Sequence, residues 1–354
     1  MMATKNPGVI LCLALLSVIG SKGSLGAPAG DATMMAYVTN SGGDNVTVVN
    51  LQMRKVVANI VVGEGVHGAC APADGRQAFF TVMSTRTLQI VDTATSRVVA
   101  TVPLVSHPFG ARPNQCASTP DGRYVAVPMR FSGKQQSVLG DVDIIDMGQR
   151  KIVNVLPIPF PHNCVEAGSN ELLYCETRAR GQIYRLNLKT RSFDEKFFVG
   201  QDPRPFAIAT RTGRIFSALG GFHGFVVVDT EDRAIHRVSL PDAGAEPSGC
   251  QRYEPNTPTH GVALTPDGKE LWVTSMDNGS VYVYDVASGT FSRPIHTGDC
   301  PNWISVTPNG EYVTVSNSGE DTMSIIDAGR EKVVADLKVG KVPKRLLAVE
   351  VPRS

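Results

Sequence analysis

The chain has 354 residues, of which 19% are charged and 42% are hydrophobic, with 34 glycines and 23 prolines. This composition is that of a globular chain with many turns, and it excludes a disordered or collagen-like protein. The formal net charge of +1 argues against nucleic acid or anionic lipid as a primary partner, because both require a clustered positive field.

The first 29 residues have the pattern of a secretory signal peptide. Lys5 is followed by an apolar stretch from Val9 to Ile19 and then by small residues ending at Ala29. The apolar stretch is much shorter than the ~20 residues that a membrane-spanning helix needs. We therefore expect residues 1–29 to be removed on export, leaving residues 30–354 as a periplasmic or secreted domain with no membrane span.

A short pattern recurs seven times in residues 30–354. Two or three β-forming residues end in Asp or Asn, and a polar turn and further β-formers follow. The Asp and Asn residues are Asn50, Asp92, Asp146, Asn187, Asp229, Asp285 and Asp327, at intervals of 42, 54, 41, 42, 56 and 42 residues. Four strands with their turns fit this period, which is that of one blade of a β-propeller.

The segments are rich in Val, Ile, Tyr and Thr, and Pro-Asp-Gly turns at 120–122 and 266–268 separate them without a helical apolar stripe. The chain is therefore predicted to be all-β. Residues 36–40, Ala-Tyr-Val-Thr-Asn, are followed by Val-Thr-Val-Val-Asn at 46–50, and 271–274 and 312–314 are looser copies. This pattern resembles the YVTN repeat of bacterial periplasmic and surface propellers over residues 36–351. The resemblance implies a single seven-bladed propeller and says little about function.

The order of the repeat predicts how the ring closes. The chain opens on a second-strand motif at Tyr37 and ends on a first-strand motif at residues 346–351. These residues should complete the blade that begins at Tyr37 and ends near Val62, which covers sheet edges that would otherwise be unpaired.

One face of the ring should carry the loops between blades and the loops between second and third strands, and we call it the loop-rich face. The two long intervals place insertions there, at 130–140 and 241–258, and the segment 106–113 and the Gly-Phe-His-Gly loop around His223 project to the same face. The innermost strands should begin on this face at His67, Asn114, His162, Pro205, His260, Asn302 and Lys344. A polar, histidine-rich channel mouth is therefore predicted, and elaborated loops on a rigid scaffold commonly bind partners.

The histidines admit two interpretations. His67, His162 and His260 come from alternate blades and could ligate one transition-metal ion, with His223 as an extra ligand. The alternative is that they are ordinary polar channel residues bonded to water. A lactonase-like site would need carboxylates around an axial calcium, and the ring offers Asn114 and Asn302 but no carboxylate, with Glu166 deeper in the strand.

Six cysteines follow the leader and permit up to three disulfides. Cys164 and Cys175 flank a turn symmetrically, and Cys250 and Cys300 lie in adjacent blade connections on the loop-rich face, so both pairs are predicted to bond. Cys70 and Cys116 lie in neighbouring inner strands one residue out of register. Their side chains could meet or point apart.

These features favour an exported, non-catalytic propeller whose loop-rich face docks a protein partner, with no catalytic residue identified. The resemblance implies a role as the propeller subunit of a periplasmic redox complex, since such subunits recur beside haem or quinone proteins. The competing hypotheses are a metal-dependent enzyme or metal-binding protein that uses the histidines, and a lactonase-like hydrolase.

Overall fold

A computed structural model describes residues 32–104, 110–131, 140–243 and 249–352. The regular structure in these ranges is almost entirely β-strand, arranged in seven antiparallel sheets. The innermost strands of successive sheets pack against one another around a common axis. The all-β, seven-bladed propeller predicted from the sequence is therefore confirmed.

The strands are numbered in chain order, and within each blade they run from the axis outwards. Blades 1 and 2 contain β1 (Thr33–Asn40), β2 (Asn45–Asn50), β3 (Lys55–Val61), β4 (Val66–Cys70), β5 (Gln77–Val82), β6 (Thr87–Asp92) and β7 (Arg97–Pro103). Blade 3 has a divided inner strand and contains β8 (Arg112–Pro113), β9 (Ala117–Ser118), β10 (Tyr124–Arg130), β11 (Gly140–Asp146) and β12 (Lys151–Pro157).

The remaining blades follow the same order. Blades 4 and 5 contain β13 (Pro161–Glu166), β14 (Leu172–Thr177), β15 (Gln182–Asn187), β16 (Ser192–Phe198), β17 (Pro203–Ala209), β18 (Arg214–Leu219), β19 (Phe222–Asp229) and β20 (Ile235–Ser239). Blades 6 and 7 contain β21 (Thr259–Leu264), β22 (Glu270–Ser275), β23 (Ser280–Asp285), β24 (Ile295–His296), β25 (Pro301–Val306), β26 (Tyr312–Asn317), β27 (Thr322–Asp327) and β28 (Lys332–Lys338). The last strand, β29 (Pro343–Val351), belongs to blade 1.

The ring closes where the sequence predicted. Strand β29 pairs antiparallel with β1, with Leu347 opposite Tyr37 and Val351 opposite Thr33. Blade 1 is thus built from both ends of the described chain, and its innermost strand is the last strand in chain order.

Apolar residues fill the space between adjacent blades. The rings of Tyr37 in blade 1 and Phe80 in blade 2 lie 6.0 Å apart, and both side chains are buried. Inner and middle strands are buried on both faces by the neighbouring blades, whereas most residues of the outer strands are exposed, as at Val61, which is 70% exposed. In the described ranges, no helix is long and apolar enough to cross a membrane.

The threonine of the Tyr-Val-Thr-Asn motif links neighbouring blades. The Thr39 hydroxyl lies 2.9 Å from the carbonyl oxygen of His67 in blade 2 and accepts the backbone N–H of Arg345 in its own blade at 3.1 Å. Thr81 and Ser316 make the corresponding link from blade 2 to blade 3 and from blade 7 to blade 1. A buried hydroxyl between two strands satisfies backbone groups that the sheet ladders leave unpaired.

Three disulfides add covalent links. Cys70–Cys116 joins the inner strands of blades 2 and 3, and this is the pair that the sequence left open. Cys164–Cys175 joins directly opposed residues of β13 and β14, and Cys250–Cys300 fixes the long connection between blades 5 and 6 to the start of β25. The last two are the pairs predicted from position. The predicted leader, residues 1–29, lies outside the described residues.

Replacing Thr39 with valine tests the link between blades. The substitution replaces the hydroxyl with a methyl group of similar size, so the N–H of Arg345 loses its acceptor and we expect a loss of about 1–3 kcal/mol in the free energy of unfolding. Chemical denaturation measures the change. Thr101→Val, on exposed β7, is the control and should change stability by less than about 0.5 kcal/mol. Equal effects of the two substitutions would contradict a linking role.

Candidate functional site

A β-bulge near the start of the inner strands brings polar residues to the axis. Regular pairing is interrupted at residues 67–68 in β4, 162–163 in β13, 204–205 in β17, 260–261 in β21, 302 in β25 and 344–345 in β29. A bulge re-aims side chains and is a common device beside functional sites. Here it recurs around the ring and gathers these residues in one layer.

Arg345 lies at the centre of this layer and is fully buried. Its guanidinium nitrogens lie 3.4 Å from Nε2 of His162 and 3.4 Å from Nε2 of His260, on blades 4 and 6. It is also 3.5 Å from Oδ1 of Asn163, and it stacks over the ring of Trp303 at 4.1 Å. A permanent cation therefore occupies the space between two of the predicted metal ligands.

These contacts fix the tautomers of both histidines. Since a guanidinium only donates, Nε2 of His162 and of His260 must be the accepting nitrogen. Nδ1 of His162 then donates to Oε1 of Glu176 at 2.6 Å, and Nδ1 of His260 donates to the carbonyl oxygen of Asn302 at 2.7 Å. Both imidazoles are held neutral, with their lone pairs directed at Arg345.

Burial and the central cation set the ionisation of the layer. Desolvation, aided by Arg345, holds the pKa of His67 and of His162 well below the ordinary value. Desolvation lowers the pKa of His260 to about 3, although Glu254 opposes the shift. Burial raises the pKa of Glu176 well above its usual range, so His162 and Glu176 form a neutral hydrogen-bonded pair.

The connection between blades 5 and 6 covers the layer on the loop-rich face. A short 3₁₀ helix, Gly249–Arg252, begins the described segment that leads into blade 6, which we call the 249–258 connection. Glu254 accepts a hydrogen bond from Nζ of Lys344 at 2.8 Å and lies 4.0 Å from Nε2 of His260, and Arg204 donates to the carbonyl oxygen of Pro255 at 3.0 Å. Burial opposes ionisation of Glu254, but the charges of Lys344 and Arg345 outweigh it and hold the pKa of Glu254 well below its usual value, so this carboxylate is ionised at neutral pH.

The structure differs from the predicted channel mouth in two respects. His67, His162, His260, Asn114 and Asn302 do lie at the axial end of their strands, but all are buried instead of lining an open mouth. In blade 5 the buried polar side chain is that of Arg204, one residue before the predicted Pro205, and in blade 1 Arg345 joins the predicted Lys344. A bulge places two residues where a regular ladder would place one, so sequence register alone did not identify them.

Sequence reasoning also missed two carboxylates. Glu176 projects from the second strand β14, and Glu254 lies in an insertion that has no counterpart in other blades. Glu166, the carboxylate that the sequence did single out, accepts the N–H of Gly168 in a turn instead. Glu166 lines a separate cavity of about 790 Å³ on the far side of Trp303, whose walls come mainly from small and aliphatic residues of the inner strands.

The predicted metal ligands do not form a compact set. Within the described ranges, the group of three or more His, Cys, Asp or Glu side chains whose donor atoms lie within 4.8 Å of one another is Cys250, Asp299 and Cys300, and its two sulfurs are bonded to each other. His223 lies in β19 instead of a loop, 2.9 Å from the hydroxyl of Ser275. Metal binding by the histidines stays a prediction that this geometry does not support.

Comparisons with known proteins identify the fold. No protein-family model matches the chain, and no curated protein matches it. It is similar to a chain of Kuenenia stuttgartiensis hydrazine synthase, at 15% identity with a TM-score of 0.68, over 82% of this chain and 91% of that one. It is similar to the dihydro-heme d1 dehydrogenase NirN in complex with DHE, at 15% identity with a TM-score of 0.60, over 86% of this chain and 63% of that one.

A third structural relative has a different described activity. This is a putative 6-phosphogluconolactonase from Bacteroides fragilis, at 16% identity with a TM-score of 0.68, over 91% of this chain and 99% of that one. At such identities the relatives share an architecture with this chain, and the same architecture serves unrelated activities. The comparisons therefore show that the chain has the propeller fold and leave its activity to be argued from its own residues.

The neutral state of His260 predicts how stability depends on pH. Its pKa is about 3 in the folded protein against an ordinary value of 6.5, so below pH 6.5 the unfolded chain takes up a proton that the folded chain does not. The free energy of unfolding should therefore fall by about 1.7 kcal/mol from this residue as the pH is lowered from 6.5 to 5, with a slope that approaches about 1.4 kcal/mol per pH unit near pH 5.

Chemical denaturation of the His260→Asn variant at several pH values measures this contribution, since asparagine keeps a donor for the Asn302 carbonyl without titrating. The slope of stability against pH should be smaller in this variant by that amount. His236→Asn, at an exposed position of β20, should retain the wild-type slope. An unchanged slope in His260→Asn would show that His260 titrates alike in both states.

Proposed function

We propose that this chain is an exported, non-catalytic β-propeller that docks a protein partner through its loop-rich face, as the propeller subunit of a periplasmic redox complex. Its role would be to provide a wide, rigid surface, with chemistry supplied by the partner.

The main support for a non-catalytic role is that the potential bases at the axis are already hydrogen-bonded. A general base or metal ligand needs a free lone pair, and Nε2 of His162 and of His260 faces the guanidinium of Arg345. Glu254 is ion-paired with Lys344, and Glu176 is bonded to His162. These four axial groups are thus engaged by neighbouring side chains, beneath the 249–258 connection.

The docking part is supported by the construction of the loop-rich face. The 249–258 connection is fixed at three points, by the Cys250–Cys300 disulfide and by the contacts of Glu254 with blade 1 and of Pro255 with blade 5. A connection held in this way presents a defined surface, and a partner binds it without a large cost in ordering.

Export is supported by the leader pattern in residues 1–29 and by the three disulfides, which persist in oxidising compartments. The proposed role in a redox complex is supported by structural similarity to other propellers. Among the structural relatives, one is named as a hydrazine synthase and another as a dihydro-heme d1 dehydrogenase. A lactonase role is less well supported, because the axis carries a guanidinium where an axial calcium would have to bind.

Site-directed photocrosslinking in the native organism tests the choice of face. A photoreactive amino acid replaces Arg252, exposed on the 249–258 connection, or Lys269, exposed in the turn between β21 and β22 on the opposite face. We expect a single protein adduct from position 252, identified by mass spectrometry as a haem- or quinone-dependent protein, and none from position 269.

Adducts from position 269 alone would contradict the proposed face. An adduct from position 252 with a protein that carries no redox cofactor would contradict the redox role but leave the docking role standing. The unreactive Arg252→Phe variant controls for loss of the arginine itself.

A further inference from the structure

The axial layer contains buried hydrogen-bond donors that have no acceptor. Among the described residues, Nε of Arg345, Nδ2 of Asn163, Nδ2 of Asn302 and Nδ2 of Asn114 are buried and make no hydrogen bond. Asn163 contacts Arg345, and the backbone carbonyl of Asn302 bonds His260, which also contacts Arg345, so two of the amide donors lie in the layer around this guanidinium. A buried donor without an acceptor costs about 1–3 kcal/mol, so this many in one place points to a ligand that accepts hydrogen bonds.

The same region has a surplus of positive charge. Five cationic side chains act on the axial histidines, namely Arg130, Arg178, Arg204, Lys344 and Arg345. Among the described contacts of these groups, the carboxyl partners are those of Glu176, Asp202 and Glu254. One of the three, Glu176, is bonded to a neutral imidazole in a fully buried position, where burial favours its uncharged form. The layer is therefore cationic, and an anion would reduce the cost of burying that charge.

The chain already places one anion at this position. The carboxylate of Glu254 is carried inward by the 249–258 connection to Lys344, at 2.8 Å, and to His260, at 4.0 Å. Glu254 is also the strongest opposing charge acting on Arg345. It leaves the amide donors of Asn163 and Asn302 without a partner, so one carboxylate does not satisfy all the donors of the layer.

We propose that the axial layer around Arg345 is a binding site for a small oxyanion, a carboxylate or an inorganic oxyanion, for which Glu254 is the chain's own substitute. The donors are guanidinium, ammonium and carboxamide groups, which recognise oxygen atoms that carry negative charge. A metal cation is disfavoured here for the same reason. Entry requires only a local opening around Glu254 and Pro255, whose contacts are hydrogen bonds, because the Cys250–Cys300 disulfide keeps the rest of the segment in place.

Isothermal titration calorimetry with sodium oxalate tests the proposal on the purified chain. Oxalate offers four acceptor oxygens, and sodium chloride keeps the ionic strength constant. Glu254→Gln removes the competing carboxylate but retains the shape of the side chain. We expect this variant to bind oxalate at least about tenfold more tightly than the wild type, because juxtaposed like charges weaken binding strongly. Glu64→Gln, an exposed carboxylate in the connection between blades 1 and 2, should behave like the wild type.

Lys344→Gln in the Glu254→Gln background should abolish the gain, and a thermal unfolding curve without oxalate verifies that each variant is folded. If Glu254→Gln and Glu64→Gln respond to oxalate alike, the unpaired donors belong to a purely structural cluster and the proposal is wrong. Binding that persists in the double variant would place the anion elsewhere and would also overturn it. The measurement uses no partner protein, so its outcome is independent of the docking role.

Discussion

The structure depends on a buried guanidinium that is held by two imidazole lone pairs. Placing the charge of Arg345 at the axis of the ring is costly unless neighbouring groups compensate it. Compensation comes from every side: Nε2 of His162 and of His260, the face of Trp303, and the nearby carboxylate of Glu254. Because Arg345 belongs to β29, the strand that closes the ring also completes the axial layer. Ring closure and the axial layer thus depend on the same strand.

This arrangement determines which chemistry the axis can support. Histidines on alternate blades could in principle form a metal centre. Here the central guanidinium of Arg345 donates to the lone pairs of His162 and His260, and its charge repels a cation. The same guanidinium, together with Lys344 and the unpaired amides of Asn163 and Asn302, makes the layer suitable for an anion. The outer surface of the 249–258 connection stays available for a partner, as Arg252 shows by its exposure. The interior and the surface of the loop-rich face can therefore serve separate purposes.

The sequence was sufficient for the architecture because each blade repeats the same physical solution. Seven Asp or Asn residues at near-constant intervals, Tyr37 at one end and residues 346–351 at the other, specify the number of blades and the way the ring closes. The threonine of the repeat is explained by a local contact, because the Thr39 hydroxyl links two blades. Because these features recur in every blade or nearly so, they can be recognised in the sequence alone.

The axial layer was only partly predictable, because it depends on departures from the repeat. Whether Pro205 or its neighbour Arg204 faces inward depends on a two-residue bulge. Glu254 comes from an insertion with no equivalent to align, and Glu176 from a middle strand that the axial alignment did not include. The pairing of Cys70 with Cys116 likewise depends on the divided inner strand of blade 3.

The protonation of the axial imidazoles tests the central claim most directly. Long-range ¹H–¹⁵N correlation spectra of the ¹⁵N-labelled protein distinguish the two neutral tautomers of histidine from the charged form. The account predicts that His162 and His260 keep their proton on Nδ1 and stay neutral between pH 7.5 and 5, because Nε2 of each accepts from Arg345. Signals of a proton on Nε2, or titration of either ring near its ordinary pKa, would contradict it.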